Sequence, residues 1–319
     1  MIAGTTNRVV ERDGVQLRVF EAGNGPTVLL LHGFPELAYS WRHQFEPLVR
    51  AGFRVVAPDQ RGFGGSTAPG PVEAYRLEEL ARDAAAVIDS CGGPAVVIGH
   101  DWGAPVAWHT ALRFPGKVRA VGSLSVPHAR RAPGPPLALM REAAGPDHIH
   151  YIDYFQAPGV AEGEFEGDVR GSLLGFLWCI SGDAPREERF KPIERGKRFL
   201  DSLTVPAQLP AWLNEADLAV YVAAFQQSGF RGGLSWYRNV DRNWHDSADL
   251  ADAVVRQPAL FVTGSRDPAR NPAAIERLRE VVADLRVLEV LDGCGHWTQQ
   301  ERPQEVTRLL LRFLASLDT

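Results

Sequence analysis

The chain has 319 residues, 45% hydrophobic and 23% charged, with 31 glycines, 23 prolines and a formal net charge of -5. That balance suits a soluble globular fold with a large core and offers no basic surface to nucleic acid or an anionic membrane. Three widely spaced cysteines (Cys91, Cys179 and Cys294) without metal-ligand spacing, no apolar leader in residues 1–8 and no run near 18 apolar residues point to a cytoplasmic, metal-free protein without membrane insertion.

In chain order, residues 9–12 and 15–19 flank Asp13-Gly14 and read as a β-hairpin with a tight turn. Residues 27–31 are a near-continuous apolar run ending in His32-Gly33, the pattern of a strand buried on both faces. Residues 53–57, 95–98 and 118–124 repeat that pattern. Between them, residues 75–90 carry Leu77, Leu80, Ala81, Ala84, Val87 and Ile88 at helical spacing. Strand alternating with helix implies a mostly parallel sheet covered on both faces, an α/β fold. The rhythm stops near Pro127 and resumes with strands expected at 258–263 and 285–290. A helix from Pro303 then places Val306, Leu309, Leu310, Phe313, Leu314 and Leu317 on one face. The expected organisation is an α/β core, residues 1–126 with 247–319, interrupted by a mainly helical cap over residues 127–246.

Gly99-His100-Asp101-Trp102-Gly103 follows the strand at 95–98 and precedes a helix expected over 104–114. Strand, Gly-x-nucleophile-x-Gly, helix is the signature of a nucleophile elbow; its glycines allow a turn too tight for a Cβ. An isolated Gly-x-Asp-x-Gly would read as an ordinary turn, but this placement makes Asp101 the nucleophile. A carboxylate needs no deprotonation and attacks an sp3 carbon to leave an ester. The helix N-terminus that follows favours its ionised form. In a fold with such an elbow, the loop after the first buried strand and the residue after the nucleophile supply the oxyanion-hole amides. These are the backbone N–H groups of Phe34 and Trp102, aimed at the charge that develops when water attacks the Asp101 ester.

Of nine histidines, His296 alone sits in a glycine-rich loop, Asp292-Gly293-Cys294-Gly295, between the last strand and the last helix. The chain order nucleophile, acid, histidine puts the base there. Asp267, just after the strand at 258–263, is placed to orient it. Asp292 is the rival acid, but lies too close in sequence to reach around the ring. His32 and His100 read as loop-fixing groups, and His148 and His150 as a solvated helix start with no third metal ligand nearby. Residues 59–66 lack the Gly-Lys-Ser/Thr ending of a phosphate loop and read as a structural turn.

At this point the chain resembles the soluble epoxide hydrolases of the α/β-hydrolase superfamily. The resemblance is carried by His32-Gly33-Phe34-Pro35-Glu36, Tyr39-Ser40-Trp41-Arg42, Asp59-Gln60-Arg61-Gly62-Phe63-Gly64-Gly65-Ser66 and the elbow. It continues in Tyr151-Ile152-Asp153-Tyr154-Phe155-Gln156-Ala157-Pro158-Gly159 and in Leu234-Ser235-Trp236-Tyr237-Arg238-Asn239, and spans Val15 to Phe313. It implies an α/β-hydrolase fold with a helical cap, and an enzyme that turns a small apolar epoxide and water into a diol through an Asp101 ester without a cofactor, detoxification being one possible role. It also implies two cap tyrosines that donate a proton to the epoxide oxygen. Motif matching puts them at Tyr151 and Tyr237, with Tyr154 competing for the first role. The chemistry justifies the residue type, since an alkoxide leaves poorly without an acid and a phenol with a pKa of about 10 stays protonated at neutral pH. Outside those motifs, the same tyrosines would read as packing aromatics. Phe34, Trp102, Tyr154 and Trp236 are expected to wall the substrate pocket.

Four rivals share parts of this pattern. A haloalkane dehalogenase would share the aspartate, the histidine and the Trp after the nucleophile, but its second halide donor is often an Asn where this chain has Phe34, whose side chain offers no N–H. A fluoroacetate dehalogenase would carry Arg where this chain has Trp102, and Asp101 excludes a serine esterase. A non-catalytic small-molecule receptor on the same fold has no need of the complete set of acid, base, nucleophile and tyrosines.

Overall fold

Asp13 and Gly14 both adopt positive φ, 50° and 77°, as a two-residue turn between right-twisted strands requires. In the computed structural model, which describes residues 2–317, they join β1 (Thr6–Arg12) to β2 (Val15–Ala22) in antiparallel register. Residues 1, 318 and 319, the ends of the expected core segments, lie outside the described residues. The sheet goes on with β3 (Thr27–Leu31), β4 (Arg54–Pro58), β5 (Ala95–His100), β6 (Val118–Leu124), β7 (Val255–Gly264) and β8 (Val282–Leu291). Its eight strands run in the spatial order β1-β2-β4-β3-β5-β6-β7-β8, with β2 antiparallel to β4 and every later pair parallel.

β3 and β5 are buried at every position because helices cover both faces. Alternate residues point to opposite sides. Leu29 and Leu31 join the core under the helices Leu77–Asp89 and Gly103–Arg113. Val28 and Leu30 join the core under Arg42–Arg50 and Pro303–Ala315. The last helix buries Val306, Leu309, Leu310, Phe313 and Leu314 as its periodicity predicts, but it ends at Ala315, so Leu317, expected on the same face, lies beyond it.

Some boundaries differ from those the sequence pattern predicts. The helix expected over 75–90 begins at Leu77, because Arg76 is extended (φ -62°, ψ 148°) and separates it from a 3-10 turn at Val72–Tyr75. The helix Arg42–Arg50 is not evident from periodicity: Pro47 lies inside it, and only Phe45 and Leu48 among its apolar side chains are buried. Between β6 and β7 the chain adds no strand to the large sheet; it forms a run of helices and one two-residue pair, His148–Ile149 with Ile193–Glu194. Phe155, Phe176, Phe230 and Tyr237 of this insertion surround the Phe34 ring at centroid distances of 5.5–6.4 Å. The insertion therefore closes over the loop that follows β3.

Candidate active site

The chemistry sits on turns at the C-terminal ends of parallel strands, where an open α/β sheet presents its ligands. β5 ends at His100, and Asp101 follows with φ 50°, a strained conformation for a residue with a side chain. The helix Gly103–Arg113 starts two residues later. A Cβ at Gly99 would stand 2.0 Å from the Gly103 carbonyl oxygen, and one at Gly33 would stand 2.2 Å from Asp101 Oδ1. Both glycines are therefore required by close approach.

The Asp101 carboxylate is held at both oxygens. The Phe34 backbone N–H donates to Oδ1 at 2.8 Å, and His296 Nε2 lies 3.4 Å from Oδ2. On the other side of the ring, His296 Nδ1 is 2.9 Å from Asp267 Oδ1, which also accepts the Ala269 N–H at 2.8 Å. Burial pushes the Asp101 carboxyl up, but the hydrogen bond and charge of His296 and the Phe34 N–H outweigh it and hold the group below the usual carboxylate range. Burial pushes His296 down, yet the charge of Asp267 and the contacts of both aspartates raise it well above an ordinary histidine. Asp292 is not on the ring; its Oδ1 accepts the Ser265 hydroxyl at 3.2 Å.

Backbone contacts set the ring's position. The His296 N–H donates to the Ile180 carbonyl at 2.9 Å, and the His296 carbonyl accepts the Ser125 hydroxyl at 2.7 Å and His100 Nε2–H at 2.8 Å. His100 Nδ1 faces Glu36 Oε2 at 2.7 Å. His32 Nε2 accepts the Gln60 N–H at 2.9 Å. Both histidines thus fix loops, as their sequence context suggests.

Tyr151 opens the short helix Tyr151–Tyr154, and Tyr237 closes the helix Arg231–Tyr237. Their rings stand edge to face, 6.0 Å apart. Both line a cavity of about 490 Å³ together with Asp101, His296 and Phe34. Burial, and then the charge of Asp101, push both phenols far above their ordinary value. They stay protonated across the physiological range.

Three expected pocket residues lie elsewhere. Trp102 stands behind a phenol, edge-on to Tyr237 at 5.1 Å, and the cavity wall does not include it. Trp236 is fully buried; its Nε1–H donates to the Arg61 carbonyl at 3.1 Å. Neighbouring helical residues point about 100° apart, so with Tyr237 facing the cavity Trp236 turns away from it. The Tyr154 hydroxyl donates to the Glu164 carboxylate, its ring leans on Phe199, and the cavity wall does not include it. His148 and His150, read as solvated, instead line the cavity. His150 stacks on Tyr151 at 4.8 Å while its Nδ1 accepts the Ile152 N–H at 3.2 Å. Phe155, Phe176, Phe190 and Phe199 complete an aromatic wall that the insertion's aromatic content hints at but its spacing does not single out.

The chain matches the α/β-hydrolase fold family over residues 26–159. It is 44% identical to epoxide hydrolase A of Mycobacterium tuberculosis over 98% of each chain. It is 42% identical to epoxide hydrolase B of the same organism over 92% of each. The solved structure of epoxide hydrolase A from Mycobacterium thermoresistibile superposes with a TM-score of 0.92 at 46% identity, covering 98% of both chains. An epoxide hydrolase from an endophytic Streptomyces superposes with a TM-score of 0.96 at 44% identity, covering 99% of this chain and 97% of the other. Among the described residues, no helix is long and apolar enough to cross a membrane.

Proposed function

Because the chain belongs to the epoxide hydrolases of the α/β-hydrolase fold, it converts an epoxide and water to a vicinal diol, and we propose that it does so through an ester on Asp101. The reading is carried by one observation: Asp101 stands at a strained elbow between the Phe34 amide and His296, in a cavity also lined by two protonated phenols.

In the first step an Asp101 oxygen attacks one oxirane carbon and the bond from that carbon to the ring oxygen breaks. Tyr151 and Tyr237 hydrogen-bond that oxygen, and one of them gives it a proton. The raised phenol pKa values keep the acid loaded. Esterification then removes the negative charge of Asp101, which is one of the influences holding the His296 proton. The imidazolium can therefore return a proton to the phenolate through water and become a neutral base. In the second step His296, oriented by Asp267, takes a proton from water as it attacks the ester carbonyl. The backbone N–H groups of Phe34 and Trp102 hold the oxyanion. Collapse breaks the ester C–O bond, the departing diol oxygen takes the proton of the newly added hydroxyl, and the Asp101 carboxylate is regenerated beside a protonated His296.

The substrate in this reading is a small, largely apolar epoxide, which the Phe34, Phe155, Phe176 and Phe199 wall suits. Residues 127–246 act as the cap over a core of 1–126 and 247–319. Free Cys91, Cys179 and Cys294 fit a cytoplasmic location. A single turnover in heavy-oxygen water tests the covalent route. Label in Asp101 and not in the diol is the expected result; label in the diol would mean direct attack of water on the epoxide.

A further inference from the structure

The loop that carries His296 is fastened by a carboxylate that takes no part in the two chemical steps. Glu301, buried in the short helix Thr298–Glu301, accepts three backbone N–H groups. Its Oε2 accepts the N–H of Gly295 at 2.8 Å and of Gly182 at 2.9 Å, and its Oε1 accepts the N–H of Trp297 at 3.1 Å. Gly295 and Trp297 are the residues on either side of His296. Gly182 belongs to the insertion.

Further contacts join the same two segments. The His296 N–H donates to Ile180 and Trp297 Nε1–H donates to the Leu177 carbonyl, at 2.9 and 2.8 Å. A Cβ on Gly295 would stand 2.1 Å from Gly182 N, so the two backbones touch. Glu301 therefore binds the backbone on both sides of the base and the insertion above it. Without it, three buried N–H groups lose their acceptor.

We propose that Glu301 is a positioning residue for ester hydrolysis, a clasp that holds the His296 loop against the insertion so that the imidazole stays aligned between Asp267 and the ester. The proposal rests on His296 being the base. Glu301 contacts none of the groups assigned to alkylation, namely Asp101, Tyr151 and Tyr237. Its loss should act mainly on the second step, since alkylation keeps its nucleophile on the Phe34 N–H and both phenols. An Ångström-scale misplacement of a catalytic group costs on the order of 10²-fold, so ester hydrolysis in Glu301→Ala should slow by about 10- to 100-fold. In Glu301→Gln the amide oxygen can keep the Gly182 and Gly295 bonds, while its NH2 faces the Trp297 N–H. That variant should fall between Glu301→Ala and the wild type.

The test is rapid-quench mass spectrometry of alkyl-enzyme together with steady-state kinetics on styrene oxide, with His296→Gln as control. kcat/KM reports steps up to alkylation, and kcat also reports hydrolysis. The expected result is accumulated ester, with kcat and KM falling together and kcat/KM within about twofold of wild type. A folded Glu301→Ala that hydrolyses its ester at the wild-type rate overturns the proposal, as does a kcat/KM that falls as far as kcat, the pattern of general structural damage. If Glu301→Ala does not fold, Glu301→Gln carries the same test. If His296→Gln accumulates ester and the Glu301 variants do not, only the clasp is wrong. If His296→Gln fails to accumulate ester, the base assignment fails and the clasp falls with it.

Discussion

The sheet and the insertion contribute chemically different halves of the site. From the sheet come charged groups, Asp101 after β5, Asp267 after β7 and His296 after β8, each contacting an oppositely charged group or a backbone N–H within 3.4 Å. From the insertion come neutral phenols embedded among aromatic rings, with Phe155 at 5.7 Å from Tyr151 and 5.2 Å from Tyr237. A buried charge costs several kcal/mol unless it is paired and hydrogen-bonded. Turns at strand ends expose free N–H groups that can meet that need, whereas a helix interior spends its backbone on itself. A neutral hydroxyl carries no such demand and can ride on a helix. In the mechanism we propose, the difference divides the reaction: epoxide opening draws on both halves, ester hydrolysis only on the sheet and what fastens it.

The largest effect should come from the sheet's nucleophile. Asp101→Ala removes the group both steps share, and loss of a nucleophile is worth on the order of 10⁶-fold. Steady-state assay with styrene oxide should find no turnover above background; appreciable turnover would put the nucleophile elsewhere. His296→Gln separates the steps. It should alkylate and then stop, with a mass increase equal to the substrate. If it turns over normally, the sheet's half of the division is misassigned.

The insertion's share is smaller and graded. Tyr151→Phe and Tyr237→Phe should each leave partial activity, and the double variant should lose roughly 10²–10⁴-fold in pre-steady-state alkylation, the range for a general acid. Two donors on one oxygen will not simply multiply. A folded double variant that alkylates at the wild-type rate would leave the phenols without a role and favour halide departure, which needs no proton.

A pH series sharpens the same division. His296 in the free enzyme is raised above its ordinary 6.5 by Asp267 and Asp101 against the pull of burial. Its contribution to stability is therefore fully present below about pH 6.5 and fades as pH rises through the folded value. The stability advantage of wild type over His296→Gln should shrink on going alkaline, read by chemical denaturation. Once Asp101 is an ester, part of that upward push is gone. Decay of accumulated ester should then reach its plateau at a lower pH than the one at which the free enzyme loses the stabilisation. Coincident titrations would show that Asp101 does not hold the His296 proton.

The charged half was legible because each of its residues is bound to local grammar. Asp101 needs glycines on both sides of a turn, and His296 sits in a glycine-rich loop at the end of an apolar strand run. The α/β alternation was legible for the same reason, since β3 and β5 are apolar at nearly every position. The insertion's half was readable only by family resemblance, which pointed to Tyr151 and Tyr237 but not to the wall around them. Tyr154 and Trp236 share the motifs yet face away, because sequence adjacency on a helix does not say which side meets the cavity, and Trp102, on the turn before its helix, packs against Tyr237 from behind. Glu301 left no signal: its partners are backbone N–H groups from two distant segments, Gly182 and the His296 loop.

Tyr154 gives the smallest effect and the cleanest contrast with Tyr151, three residues away on the same helical turn. Its hydroxyl donates to Glu164, whose Oε2 also accepts the Leu200 N–H at 3.1 Å. Tyr154→Phe removes one hydrogen bond and leaves the carboxylate its other donor. A hydrogen bond to a charged group contributes about 1.5–3 kcal/mol net, less where water reaches it as it does this half-buried ring. At about 2–4 °C per kcal/mol, the Tm should fall by a few degrees. Activity should stay within about twofold, because the Tyr154 ring is not part of the cavity wall. Tyr151→Phe should do the reverse, leaving Tm almost unchanged while slowing alkylation. Thermal melts and stopped-flow alkylation on the two single variants decide the matter. If Tyr154→Phe slows alkylation as much as Tyr151→Phe does, the first proton donor has been assigned to the wrong face of its helix.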